Sequence, residues 1–277
     1  MTDATLFALR LPRRLIRLSG AEARPFLQDL VTNDVTPAAE DAAVYAALLT
    51  PQGKFMADFL VLGDGAEDLV LDVEAAAAPA LAQALARYRL RRSVGIAEAA
   101  WSVIALWGAV PETAPEGARL IEDPRDKSLG NRLYLEVGAE AGAAALTALG
   151  AAEASAEAYD ALRVAAGAPA TGVELTPDTY ILEAGFERLN GVDFRKGCFV
   201  GQEIVARMKH KTELRKGLVA VTVEGEAPAP GTEVLSADGR PAGVLFTVAE
   251  GRGLAQLRFD RAKGAMTAGG ATVRRAE

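Results

Sequence analysis

The chain has 277 residues, 50% apolar and 24% charged. That is the balance of a globular protein rather than of a disordered or fibrous one, with length for two or three modules. The formal net charge of −7 argues against a general nucleic-acid binder, which carries a basic surplus, and no apolar run is long enough to span a bilayer.

One cysteine, Cys198, and one histidine, His210, exclude an internal disulfide, a structural zinc site, and an iron–sulfur cluster held by this chain alone. A Ser-His-Asp triad would have to use His210, and no nucleophile elbow accompanies it. His210 lies in the basic run Arg207–Lys211 and reads as the solvated end of a helix.

In chain order, Arg10, Arg13, Arg14 and Arg17 make a basic stretch of the kind found in transit peptides. They are interleaved with Leu9, Leu11, Leu15, Ile16 and Leu18, which predict strands followed at once by a helix. The N-terminus is therefore read as folded protein, and the expected compartment is the cytoplasm. Ser19 and Glu22 have the spacing of a capping box, so a helix is predicted from about Ala21, with Phe26, Leu27, Leu30 and Val31 as its apolar stripe. Val44 to Leu62 predicts two strands around a turn at Pro51-Gln52-Gly53, and Leu69, Leu71 and Val73 a further strand. Pro79 opens a helix whose Leu81, Leu85 and Tyr88 share a face. Strands return near Ser102–Trp107 and Leu133–Val137, and Trp101 and Trp107 read as core residues. Ala141 to Ala168 reads as mostly helical with a break at Gly150. From Lys216 onward the short runs 218–223, 232–235, 243–248, 254–258 and 271–274 predict strands of a small antiparallel barrel. A domain boundary is expected near residue 215, giving domains 1–215 and 216–277. The irregular mixture of strands and helices before it is α+β rather than doubly wound.

The most unusual stretch is Asn190 to Arg207, NGVDFRKGCFVGQEIVAR. Gly197 and Gly201 flank the cysteine and permit a positive φ or close backbone approach. Ile204, Val205 and Met208 predict a helix after Gly201, whose free N–H groups would favour an anion, or a thiolate over a thiol. Arg195, Lys196 and Arg207 add positive charge. Two readings of Cys198 stand: a small buried hydrophobe, or a reactive thiol.

The string Lys196-Gly197-Cys198-Phe199-Val200-Gly201-Gln202-Glu203 resembles the signature of the YgfZ family, folate-binding proteins similar to the T-protein of glycine cleavage (GcvT). Leu18-Ser19-Gly20, Phe26-Leu27-Gln28, Thr32-Asn33-Asp34-Val35, Leu48 to Lys54, Asp123-Pro124-Arg125, Leu129 to Arg132 and Arg163 to Gly167 extend the resemblance over most of the chain. It implies a GcvT-like folate-binding region of interlocked α/β units closed by a C-terminal antiparallel β-barrel. It also implies a funnel for tetrahydrofolate or a one-carbon derivative, and work in the maturation of iron–sulfur (4Fe–4S) proteins.

A pterin presents adjacent N–H donors that suit a carboxylate, and a folate tail is anionic and suits Arg or Lys. Asp34, Asp58, Glu183 and Glu187 are candidate acceptors, Glu183 first among them. Arg207, Lys209 and Arg215 are candidate tail partners. The site implied by the resemblance takes Cys198 and Asp58 as its chemical groups and Asn33, Asp34, Asp58, Glu183, Lys196, Gln202 and Arg207 as its folate contacts, with no metal. Where aminomethyltransferases carry a pair of adjacent acids this chain reads Ala57-Asp58, and Cys198 stands where the T-protein has an acid, which counts against glycine-cleavage activity. The leading expectation is a folate-binding accessory factor acting with iron–sulfur assembly or client proteins, without nucleic acid or membrane. The alternative is a folate-dependent aminomethyltransferase working through Asp58, and the third is an interaction module with a vestigial pocket.

Overall fold

The first two strands of the chain do not pair with each other. In the computed structural model, which describes residues 5–136, 146–211 and 213–276, β1 (Leu6–Arg10) and β2 (Arg13–Ser19) are separated by Leu11-Pro12. Pro12 carries no N–H, and Arg13 N–H closes a tight bend on Leu11 O at 2.8 Å. The two strands thereby enter different sheets, which interlocks those sheets.

β3 (Ala43–Leu49), β4 (Phe55–Asp64), β5 (Asp68–Glu74) and β6 (Gly95–Ala99) join β2 in a sheet of order β3-β4-β5-β2-β6. Helices α1 (Ala23–Gln28) and α2 (Ala78–Arg89) supply Phe26, Leu27, Leu81 and Leu85 to its core, against Leu18, Phe59, Val61 and Leu71. β7 (Ser102–Gly108), β8 (Ala118–Glu122), β9 (Asn131–Leu135) and β10 (Ala152–Glu153) join β1 in a second sheet of order β10-β1-β7-β9-β8. Ala8, Ile104, Leu106, Leu133 and Leu135 form the core there.

The C-terminal strands β11 (Lys216–Glu224), β12 (Thr232–Leu235), β13 (Pro241–Ala249), β14 (Arg252–Arg258), β15 (Met266–Ala268) and β16 (Ala271–Arg275) close into a barrel of order β11-β14-β13-β12-β15-β16. Closure removes the edges that open sheets expose. Val221, Val234, Leu245, Leu257 and Val273 alternate inward to fill it. The fold is thus the mixture of α/β sheets and a closed antiparallel barrel that the sequence led us to expect.

The chain gathers into two compact units. The first comprises Met1–Thr50, Met56–Ser155 and Leu189–Val200, and holds both open sheets. The second comprises Pro51–Phe55, Ala156–Arg188 and Gly201–Glu277, and holds the barrel. In the second unit, helix α3 (Ala156–Ala166) packs on β13 and β14. Its Arg163 shares a buried polar group with Glu174, whose Oε1 accepts from Thr247 N–H at 3.2 Å and Oγ1 at 2.5 Å.

Several local expectations are corrected. The Ser19–Glu22 capping box does not form: Ser19 ends β2 opposite Gly95, Glu22 accepts from Ser93 N–H at 2.6 Å, and the helix starts at Ala23. The stretch read as helical up to Ala168 contains strand β10, pinned parallel to β1; residues 141–145 of that stretch lie outside the described residues. Trp101 and Trp107 are half-buried rather than core: Arg119 lies 4.6 Å from the Trp101 ring, and Phe7 stacks on Trp107 at 5.9 Å.

Candidate functional site

In the first unit, the motif loop 189–200 is tied down by backbone and side-chain bonds. Thr32 Oγ1 donates to Gly191 O at 2.7 Å, and Asp193 N–H donates to Thr32 O at 3.1 Å. Asn33 Nδ2 donates to Asn190 O at 2.6 Å and to Tyr45 O at 2.8 Å. Farther on, Lys196 Nζ donates to Gln28 O at 2.6 Å and Val31 O at 2.5 Å, and Val200 N–H reaches Leu30 O at 3.3 Å. Carbonyls at a helix C-terminus lack intrahelical partners, so an ammonium there both satisfies them and meets the negative end of the dipole. Burial pushes the Lys196 pKa down to about 8.

Between these anchors Cys198 is exposed, while Lys196 and Phe199 on either side are 9% and 7% exposed. The reading of Cys198 as a buried hydrophobe is therefore excluded. Gly197 does not use a positive φ, and a Cβ there would meet nothing within 4 Å; the positive φ, 82°, belongs to Gly201.

Asp34 builds a turn: its Oδ1 accepts from Thr36 N–H at 3.0 Å, Thr36 Oγ1 at 2.8 Å and Gln28 Nε2 at 3.1 Å. The backbone bond from Thr36 leads the lowering of its pKa. Asp58, on β4, is 5% exposed and accepts from Tyr45 Oη at 3.0 Å. Burial, and then the neighbouring Asp58 charge, raise the Tyr45 pKa well above its usual value, so the phenol keeps its proton as a fixed donor. The Arg125 guanidinium lies 5.8 Å from the Tyr45 ring and forks onto Asp123 at 2.9 and 2.8 Å. Arg132 joins Asp123 to Asp72, which also accepts from Arg13 at 2.5 Å and Tyr134 at 2.8 Å. Asp58 is thus one end of a buried charged chain that crosses between the two sheets.

In the second unit, Glu183 is 9% exposed. Lys216 Nζ lies 3.2 Å from its Oε2, an ion-pair contact without hydrogen-bond alignment. Oε2 is, among the described residues, the buried side-chain atom left without a hydrogen-bond partner. Helix α4 (Gln202–Lys211) begins where the sequence placed it, with Gln202 half-buried and Arg207 and His210 exposed. Glu187 and Lys209 pair with each other at 2.5 Å, and Arg215 is exposed. The turn 51–55 packs in the same unit. Lys54 Nζ donates to Asp178 O at 2.5 Å and sits 3.8 Å from the Tyr180 ring, and Phe55 N–H reaches Thr179 O at 2.9 Å.

Asn33, Asp34, Asp58, Lys196 and Cys198 therefore fall in the first unit, and Glu183, Gln202 and Arg207 in the second. Sequence reasoning missed Tyr45, Asp123 and Arg125 as supports of Asp58, and Lys54 with Tyr180. The only signal for them was the family-like blocks around Lys54 and Asp123-Pro124-Arg125, which carried no role of their own.

Glu183 offers a buried carboxylate oxygen without an aligned hydrogen bond, the chemistry that a pterin's N–H donors would need, with the Lys216 ammonium 3.2 Å away. Among the described residues no group of three or more Cys, His, Asp or Glu side chains could hold a metal ion, and no helix is long and apolar enough to cross a membrane.

Residues 12–114 match the GCVT N-terminal domain, and residues 215–276 match the CAF17 C-terminal beta-barrel domain. The chain is 34% identical over 284 residues to the mitochondrial iron-sulfur cluster assembly factor IBA57 of Mus musculus, covering 91% of this chain and 77% of that one. It is 32% identical over 282 residues to the protein of the same name from Homo sapiens, with the same coverage of 91% and 77%. In fold it is similar to the glycine cleavage system aminomethyltransferase T of Bartonella henselae, with a TM-score of 0.81 at 18% identity over 99% of this chain and 85% of that one. The expected cytoplasmic compartment is withdrawn, because these relatives are named as mitochondrial proteins.

Proposed function

The chain belongs to the family of the iron–sulfur cluster assembly factor IBA57, and we propose that it serves cluster assembly through two separate devices, an exposed motif thiol and a folate-binding carboxylate. A single thiolate can give one ligand to a cluster whose other ligands come from a partner. Cys198 is the chain's one thiol, exposed on a loop whose neighbours are anchored. The cluster is cargo here, shared with assembly or client proteins.

The folate reading is carried by one observation, the buried Glu183 Oε2, which has no aligned hydrogen bond and only the Lys216 ammonium as its counter-charge. A carboxylate there suits the adjacent N–H donors of a pterin. Gln202 and Arg207 are the proposed partners for the polar and anionic parts of the ligand. Tetrahydrofolate or its derivative would supply a one-carbon carrier. In the first unit, Asp58 is the proposed acid, held by Tyr45, whose backbone Asn33 fixes, while Asp34 and Lys196 fix the segment 28–36 beside the motif loop. The division into 1–215 and 216–277 is proposed as the domain boundary.

In cells that depend on this chain, Cys198→Ser is expected to abolish the activity of enzymes carrying 4Fe–4S clusters without unfolding the protein. Full activity with Cys198→Ser would remove the thiol from the account. A second reading, transfer of an aminomethyl group to folate, is favoured by the buried, hydrogen-bonded Asp58; on that reading Asp58→Asn costs more activity than Cys198→Ser.

A further inference from the structure

Helix α2 ends on a residue in an unfavourable state. Leu90 caps it at φ 50° and ψ −110°, a region that L-residues avoid, and its side chain is 85% exposed. Its neighbours are basic: Arg87, Arg89, Arg91 and Arg92, in a chain of net charge −7. A groove of about 760 Å³ opens there, walled by Phe26, Leu30, Tyr88 and Leu90 together with arginines of the same run.

The two carboxylates in the groove wall are already engaged: Glu22 accepts from Ser93 N–H at 2.6 Å, and Asp29 pairs with Arg92 at 2.5 Å. Arg89 leans on Val94 O at 3.4 Å. Among the described residues, the groove's Arg89 and Arg91 have no ion-pair partner. The groove is therefore apolar within, and at its rim Arg89 and Arg91 outweigh the one carboxylate without an ion pair, Glu22. It also adjoins the motif loop: Leu30 lines it, and the Leu30 carbonyl accepts from Val200 N–H, while the flanking Gln28 and Val31 carbonyls hold Lys196.

We infer that this groove docks an acidic segment of a protein partner, with an apolar side chain seated against Phe26, Leu30 and Tyr88 and carboxylates meeting Arg89 and Arg91. The inference rests on the reading of Cys198 as a ligand shared with a partner, because Leu30 both lines the groove and anchors the cysteine loop through its carbonyl. A protein segment is favoured over a bilayer because the surface is concave and offers one protruding leucine. Opposite charge steers the encounter, and the buried anchor holds the complex.

The test is fluorescence anisotropy with a short labelled peptide of glutamate and leucine, its lysine–leucine counterpart, and phosphatidylserine–phosphatidylcholine vesicles. The wild type is expected to bind the glutamate peptide and not the lysine one, with affinity falling as salt rises. Leu90→Gly and the double variant Arg89→Glu/Arg91→Glu should each weaken binding about tenfold or more. Leu90→Gly also relieves the positive φ, so its thermal midpoint should hold or rise, which separates lost docking from lost folding. Cys198→Ser should bind the peptide as the wild type does, so the groove is read independently of the thiol.

No binding of the glutamate peptide to the wild type overturns the inference, as does equal binding of the lysine peptide or binding unchanged in the variants. Leu90-dependent binding to vesicles without peptide binding assigns the groove to a membrane instead. A dimer lost in Leu90→Gly assigns it to a second copy of the chain.

Discussion

Asp72 is fully buried on β5 and still charged. Burial alone would raise its pKa, but the guanidinium groups of Arg13 and Arg132 outweigh that and hold it below the usual carboxylate range; Asp123, between Arg125 and Arg132, is held low in the same way. A carboxylate with a depressed folded pKa contributes stability above its unfolded value of about 3.9 and loses it as pH falls through the folded value. Urea unfolding should therefore show stability independent of these groups from neutral pH down to about pH 4, and a decline below that. Asp72→Asn should lose about 3–5 kcal/mol at neutral pH, because Arg13 and Arg132 are left buried without their counter-charge, and should flatten the acid limb. Lys196 carries the opposite charge, but its pKa too is depressed, so its slope has the same sign. Its folded pKa, about 8, lies below the ordinary lysine value, so the unfolded chain holds the proton more tightly over the interval above 8. Stability should rise between pH 8 and about 10.4, and this rise should vanish in Lys196→Met. Neither residue's role was legible in the sequence. Asp72 alternates with Leu71 and Val73 as an outward-facing residue would, and only Arg132 and Tyr134, on another sheet, make it an inward one. Lys196 read as a cation for a ligand, whereas its partners are backbone carbonyls, which sequence does not display.

At the level of elements, legibility followed side-chain periodicity. The barrel strands rich in Val and Leu were visible because inward and outward residues alternate, as in β11 and β16. β6 and β10 were not, since Gly95–Ala99 and Ala152–Glu153 lack that pattern and exist because β2 and β1 present edges to pair with. The Ser19–Glu22 box failed for the related reason that pairing with β6 holds Ser19 in a strand. The turn at Pro51–Gly53 was legible from its residues, and the structure adds why Gly53 belongs there. Its φ is 73°, and a Cβ would lie 2.7 Å from Ile204 Cβ on helix α4. Gly53→Ala should cost about 1–3 kcal/mol in urea unfolding from overpacking alone. A loss below measurement error would mean that the turn and the helix are not in contact.

Over the whole molecule, the family-like blocks scattered along the sequence are sorted by the fold into two sets. Thr32-Asn33, Asp58 and the Cys198 loop collect in the first unit, and Pro51 to Lys54, Glu183 and Gln202 in the second. Sequence pattern located where the barrel strands begin, at Lys216; the compact units draw in 51–55 and 156–188 as well, because buried polar groups such as Arg163–Glu174–Thr247 bind distant segments together. The compartment was misread because a folded N-terminus says nothing about where a protein is delivered. The two-device account stands or falls most directly on anaerobic calorimetry of tetrahydrofolate with the wild type, Glu183→Gln and Cys198→Ser. The account predicts that wild type and Cys198→Ser bind alike and that Glu183→Gln binds about tenfold more weakly or worse, having lost the carboxylate's charge and one of its two acceptor oxygens. A wild type that does not bind, or Glu183→Gln binding as tightly as the wild type, would contradict it.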